Sequence, residues 1–266
     1  MLPRLKQRGI QARCLALDYT LGQEASREDQ IRQLCHAWHW LHSHITTLGG
    51  SHRVVLAGDS AGGHLVTAMT KALVQERCIQ PDCEVPAALI AISPWLHVIS
   101  HKGLSTEEVV KLEGSSSTIR SDYLGHRALR DFHRATSCGH TDEELWPPSK
   151  ALEIEVKGSK QPQWPPTLVI VGGGEILAED GRALARALQQ HQVQPPQQEK
   201  EKTKAGPDLG ETERNTAGVQ VAHVELLDEA GAPHDWILLP MFDYHPGAAA
   251  RGLDRALGFV LQRAYS

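Results

Sequence analysis

The sequence predicts an α/β protein with a mostly parallel sheet and helices on both of its faces. Two observations predict it. Short β-branched and aliphatic runs alternate with stretches of helical period, and a Gly-x-Ser-x-Gly pentapeptide at 58–62 joins one such run directly to one such stretch. ARCLALDY at 12–19 reads as the first strand. Residues 27–47 read as an amphipathic helix, with Ile31, Leu34, Cys35, Trp38, Leu41 and Ile45 at helical spacing. RVVLAG at 53–58 is the second strand, and the helix after Ser60 carries Leu65, Ala68, Met69, Ala72 and Leu73 on one face. ALIAIS at 88–93 and PTLVIVG at 166–172 are the third and fourth strands. A helix over 182–190, a last strand VQVAHVELL at 219–227 and a closing helix over 247–263 complete the order.

Two segments fall outside that alternation. The long gap at 99–165 reads as mixed helix and loop, and an insertion of that size in an α/β protein is expected to sit over the strand ends as a cap or lid. The segment 194–216 is polar and rich in Pro and charge, with Leu209 its sole long aliphatic residue, and is expected to be a disordered surface loop. The whole of 1–266 is otherwise read as a single domain.

Composition narrows the function classes. The 266 residues are 41% hydrophobic and 22% charged, as in ordinary globular proteins. Basic residues number 27 against 32 acidic, with no long basic block, which argues against nucleic acid as a partner. No apolar run approaches the ~20 residues that span a bilayer, and MLPRLKQRGI has no signal-peptide core. The five cysteines (Cys14, Cys35, Cys78, Cys83 and Cys138) are scattered, so reduced thiols and a cytoplasmic location are the expectation. No cluster suggests a metal site, and no cofactor is called for.

The candidate chemistry begins at Ser60. A chain reversing tightly between a strand and a helix would bring side chains two residues to either side into collision, which accounts for Gly58 and Gly62. Ser60 then stands at the C-terminal edge of the sheet, over a helix N-terminus whose amides favour negative charge. A pentapeptide of this kind also arises by chance, but the strand before it, the helix after it and the additional Gly63 argue for a nucleophile elbow.

With GDSAGGHL at 58–65, LDYTL at 17–21 and ISPWL at 92–96, the chain resembles the hormone-sensitive-lipase family of α/β-hydrolases; fungal steryl-acetyl-hydrolase-like esterases are similar in the same places. The resemblance covers essentially all of the chain apart from 194–216 and much of the cap. It implies the α/β-hydrolase fold and a serine carboxylic-ester hydrolase of short-chain acyl esters, acetylated sterols or secondary metabolites among them. In this fold the nucleophile, acid and base follow one another in that order. Family members carry Asp or Glu at the position of Glu175, within VIVGGGEILAEDG, and Asp180 at the start of the next helix is the alternative acid. Of fifteen histidines, His234 in VELLDEAGAPHDWILL lies where the family has a similar Pro-His pair, after the last strand, and is the expected base. The backbone N–H of Ala61, next to the nucleophile, is the expected oxyanion donor.

The resemblance also implies a His-Gly-Gly-Gly loop and further strands upstream of LDY. Only eleven residues precede ARCLALDY, so an N-terminally truncated hydrolase fold is expected, from an incomplete gene model or a shortened form; a missing N-terminus could have carried a membrane anchor. Two readings therefore stand: an esterase using Ser60, Glu175 and His234, and a catalytically impaired or small-molecule-binding protein on the same fold. Trp95, Trp146 and Trp164 are candidate walls for an ester pocket, or ordinary core packing. The oligomeric state is not legible.

Overall fold

The computed structural model of the chain describes residues 1–22, 24–45, 47, 52–80, 82–96, 105, 107, 122–136, 154, 162–191, 219–239 and 245–264. Helices α1 (Leu2–Gln7) and α2 (Arg27–Ile45) come first, followed by β1 (Val55–Asp59), α3 (Ala61–Ile79) and β2 (Ala88–Ile92). Then follow α4 (His126–Thr136), β3 (Gln163–Trp164), β4 (Thr167–Gly172), α5 (Ala178–Gln190), β5 (Gln220–Val221), β6 (Val224–Glu229) and α6 (Ala248–Arg263).

Burial decides how the strands are arranged. β2 and β4 are buried along their whole length, as continuous apolar runs in a parallel sheet must be. β6 alternates instead, and β1 is half exposed, because these two are the edges of the described sheet. Its order is β1-β2-β4-β6, every pair parallel, with Val55 opposite Ala88, Leu89 opposite Thr167 and Thr167 opposite Val224. The period of two then sorts the core. Leu89, Ala91, Val169 and Val171 face one side, against Val66 and Val74 of α3 and Leu184 and Leu188 of α5. Ala88, Ile90, Leu168 and Ile170 face the other, against Ala256, Phe259 and Val260 of α6. α2 packs Leu34 and Trp38 onto Leu65, Met69 and Leu73 of α3, and its start is fixed by a capping box in which Asp29 N–H donates to Ser26 Oγ at 3.1 Å and Ser26 N–H to Asp29 Oδ2 at 3.2 Å.

Three sequence expectations are corrected here. Residues 12–19 form no strand: they pair in no ladder among the described residues, and Leu15 and Leu17 stand 59% and 41% exposed. Their β-branched and aliphatic content supplies propensity, but a strand exists only where a neighbour completes its hydrogen bonds, and none does so here among the described residues. The single last strand is two. β5 pairs with β3 in a separate two-stranded ribbon, while β6 joins the main sheet after a break at Ala222 and His223. The helix expected from residue 182 begins at Ala178, so that Glu179 and Asp180 occupy its first turn, where the helix dipole favours acids.

The segment 99–165, expected to form a cap, is described mainly through α4, and the loop expected at 194–216 lies outside the described residues, as does Trp146. Among the described residues no helix is long and apolar enough to cross a membrane, and no group of three or more His, Cys, Asp or Glu could hold a metal ion.

Candidate active site

Ser60 lies between β1 and α3 with φ 52° and ψ −118°, a left-handed value that a residue with a side chain adopts only when its surroundings enforce it. The enforcement is visible. Ser60 N–H donates to Ile92 O at the end of β2 (2.9 Å), and Ser60 O accepts from Trp95 N–H (3.0 Å), so the turn is fastened on both sides. A Cβ on Gly58 would come within 2.3 Å of Gly62 O, which confirms the need for glycine there. At Gly62 a Cβ would meet nothing within 4 Å; the second close approach belongs to Gly63, whose Cβ would lie 3.0 Å from Pro94. The tight packing around the serine is thus of two kinds: Gly58 against the Gly62 backbone across the turn, and Gly63 of α3 against the loop after β2. Ala61 opens α3, where the first backbone N–H groups have no intrahelical partner.

Glu175 sits in the loop between β4 and α5, its N–H bonded to Gly172 O at 3.0 Å. His234 sits in the loop after β6. The two loops meet because Gly172 has no side chain: a Cβ there would stand 2.4 Å from the carbonyl oxygens of Ala232 and Pro233. The result is a buried pair, each residue 2% exposed, with His234 Nδ1 3.2 Å from Glu175 Oε2. Asp180, the other sequence candidate for the acid, is also buried, but its Oδ2 accepts from Leu96 N–H at 2.8 Å and so joins α5 to the segment after β2.

The other ring nitrogen is where the structure departs from expectation. His234 Nε2 lies 3.1 Å from Asp235 Oδ2, and among the described residues the Ser60 hydroxyl makes no hydrogen bond. Asp235 reaches that position through a left-handed backbone (φ 52°), held by its N–H to the buried Ser93 Oγ at 3.2 Å. Sequence reasoning missed Asp235, Ser93 and Asp122. Asp122, ahead of α4, accepts from His234 N–H (3.0 Å) and from Ile176 N–H (2.8 Å). The signals were adjacency, for Asp235 beside His234 and Ser93 within ISPWL; nothing local marked Asp122.

This crowd of carboxylates sets the electrostatics. Burial works against charge on the His234 ring, but hydrogen bonds and charge from Asp235 and Glu175 outweigh it and lift the pKa to about 9. Burial raises Glu175 above the usual carboxylate value, against the opposing pull of His234 and Ser93. Asp59, at the end of β1, is also raised, first by burial and then by the charge of Asp235. Tyr123 meets the His234 ring edge-on with centroids 5.8 Å apart, and burial together with the surrounding acids pushes its phenol up to about 12, so it stays neutral.

Of the tryptophans, Trp164 lies in the core, its indole N–H bonded to Thr167 Oγ1. An aromatic ring in that position fills the space between α3, β3 and β4 that the apolar pattern alone could not assign. Trp95, whose N–H fastens Ser60, is buried against Leu129 of α4 and Leu177 at the start of α5.

Three comparisons bear on this geometry. A family model described as alpha/beta hydrolase fold matches residues 4–204. Among curated proteins, the chain is 30% identical over 164 residues to the carboxylesterase/phospholipase LipF of Mycobacterium tuberculosis, covering 58% of this chain and 36% of that protein. It is 33% identical over 137 residues to the esterase LipU of the same organism, covering 51% and 40%. The chain thus spans well under half the length of these relatives. Among solved structures, an esterase from the bacterial hormone-sensitive lipase family superposes with a TM-score of 0.59 at 23% identity, over 93% of this chain and 65% of that one. Brefeldin A esterase, a bacterial homologue of human hormone-sensitive lipase, gives 0.58 at 21% identity, over 91% and 56%.

Proposed function

Because the chain belongs to the alpha/beta hydrolase fold family, we propose that it is a serine carboxylic-ester hydrolase in which Ser60 is the nucleophile, His234 the base and Glu175 the acid. The observation that carries this reading is the buried contact between His234 Nδ1 and Glu175 Oε2, in a chain whose Ser60 is held at φ 52° on a strand-to-helix turn. A serine hydroxyl attacks an ester only if a base takes its proton as the bond forms. His234 Nε2 does so here, and Glu175 fixes the ring so that Nδ1 carries the other proton and the imidazolium is stabilised. The tetrahedral oxygen accepts from Ala61 N–H at the positive end of α3, a type of contact that contributes about 10²–10³ in rate. Collapse expels the alcohol, which takes its proton from His234. Water then repeats the sequence on the acyl-enzyme, and the acid is released. Short-chain acyl esters are the proposed substrate class.

One observation favours a second reading, a small-molecule-binding protein on the same fold: Nε2 is bonded to Asp235, and the serine hydroxyl is free of it. The same experiment separates the two. Hydrolysis of p-nitrophenyl acetate and butyrate by the chain is measured beside Ser60→Ala. Turnover that falls to background in the variant supports the esterase. Equal, background-level rates from folded samples of both refute it and leave the binding reading.

A further inference from the structure

We infer that Asp122 is a positioning residue of the candidate site: one carboxylate from the cap holds the backbones of the acid loop and the base loop together, so that seating the cap sets the alignment of Glu175 with His234. The inference rests on the esterase reading for its kinetic consequences, though not for its geometry.

The contacts are divided between the two oxygens. Oδ2 accepts from Ile176 N–H at 2.8 Å, the residue directly after Glu175. Oδ1 accepts from His234 N–H at 3.0 Å, the base itself. Those partners lie 54 and 112 residues away along the chain. The two loops are already joined at their inner ends, where Gly173 N–H donates to Glu229 O and Gly174 N–H to Ala232 O. Asp122 closes the outer side, at the residues that carry the chemistry. A charged acceptor with two backbone donors is among the stronger neutral-to-ionic hydrogen-bond arrangements, and it leaves neither loop free to slide against the other.

The neighbours of Asp122 reinforce the same point. Oδ1 also takes a long bond from Leu124 N–H (3.4 Å), turning the chain so that Tyr123 meets the His234 ring edge-on at 5.8 Å. Leu124 and Leu129 then pack with Trp95, Ile176 and Leu177. The cap is therefore anchored by apolar contact on the acid loop and reads out on the base through Asp122 and Tyr123. An Asp that served merely to end a loop would need no bond to the base.

The test uses Asp122→Ala and Asp122→Asn in the full chain. The readouts are kcat and KM for p-nitrophenyl butyrate, and the downfield proton resonance of His234 Nδ1–H against Glu175. Misplacement of a catalytic group by about 1 Å costs on the order of 10²-fold in rate. Asp122→Ala is therefore expected to lower kcat by about 10- to 100-fold with KM within about threefold, and to shift or broaden the resonance. In Asp122→Asn one end of the amide still accepts while the NH₂ opposes the other N–H, so an intermediate kcat is expected. A purely structural tie would lower the melting temperature and leave the resonance and the kcat of the folded fraction unchanged; that result overturns the inference. Should Asp122→Ala not fold, the isosteric Asn variant carries the same test. If the wild-type chain shows no Ser60-dependent turnover, the esterase reading fails, and the resonance alone decides whether Asp122 holds the ring.

Discussion

Asp235→Asn removes one of the two carboxylates bonded to the His234 ring while keeping the shape of the side chain. Asn tolerates left-handed backbone as Asp does, so φ 52° at this position is retained and the N–H to Ser93 Oγ survives. In the wild-type chain His234 is held at about 9, which leaves about 1% of the base neutral at pH 7. An opposite charge at this range shifts a pKa by about 1–3 units. Its loss, with Glu175 and Asp59 still facing the ring and Tyr123 neutral beside it, lowers the pKa of His234 by about one to two units. The neutral fraction at pH 7 then rises to between about 10% and 50%, and kcat/KM at pH 7 rises about 10- to 50-fold. Above pH ~10 the base is neutral in both forms and the two should converge. The assay is a pH–rate profile from pH 6 to 10, corrected by Ser60→Ala for background hydrolysis. Stability should follow the opposite sense. The fold favours protonated His234, so its contribution is complete below pH 6.5 and is lost as the pH rises through about 9. A profile whose midpoint does not move, or moves upward, refutes the reasoning. So does a kcat/KM lowered at every pH, which would make Asp235 a working part of the reaction.

The remaining predictions concern the acid and the hinge of the site. Glu175→Gln should lower kcat by about 10³–10⁴, because the ring loses the partner that fixes its tautomer and stabilises its charge. Asp180→Ala leaves the buried Leu96 N–H without its acceptor. It should cost about 1–3 kcal/mol in a denaturant melt while the folded chain keeps the esterase rate proposed above; a loss of rate comparable to that of Glu175→Gln would assign the acid to Asp180 instead. Gly172→Ala drives a methyl to within 2.4 Å of the carbonyls of Ala232 and Pro233. The loop carrying His234 must move, and kcat should fall about 10²-fold with the far-ultraviolet circular dichroism unchanged; an unaltered kcat would show that the loop yields elsewhere.

What could be read from the sequence was whatever chemistry or burial forces on residue type. β2 and β4 were legible because strands covered on both faces must be almost wholly apolar, as ALIAI and, but for Thr167, TLVIVG are. Glu175 and His234 were expected from the family resemblance and the order of nucleophile, acid and base that it implies, and their contact at 3.2 Å follows from where β4 and β6 end side by side. Where geometry alone chose the partner, the sequence was silent. Residues 12–19 have the composition of a strand, yet a ladder depends on a neighbour that composition does not name. Trp164 reads as readily for a pocket as for a core, since a large ring suits both, and the register of β3 with β5 put it in the core. Gly62 reads as the glycine required after the serine, but a Cβ there meets nothing, and it is Gly63 whose Cβ would lie 3.0 Å from Pro94. Asp235 stands beside His234 in every reading, but sequence adjacency directs successive side chains apart, and a positive φ was needed to turn this one back onto the ring. Asp122 is the extreme case: an aspartate in a segment without period, whose contacts with the loops of Glu175 and His234 are both with backbone N–H groups. Every residue type but proline offers that donor, so no choice of amino acid at 176 or 234 records that Asp122 is their partner.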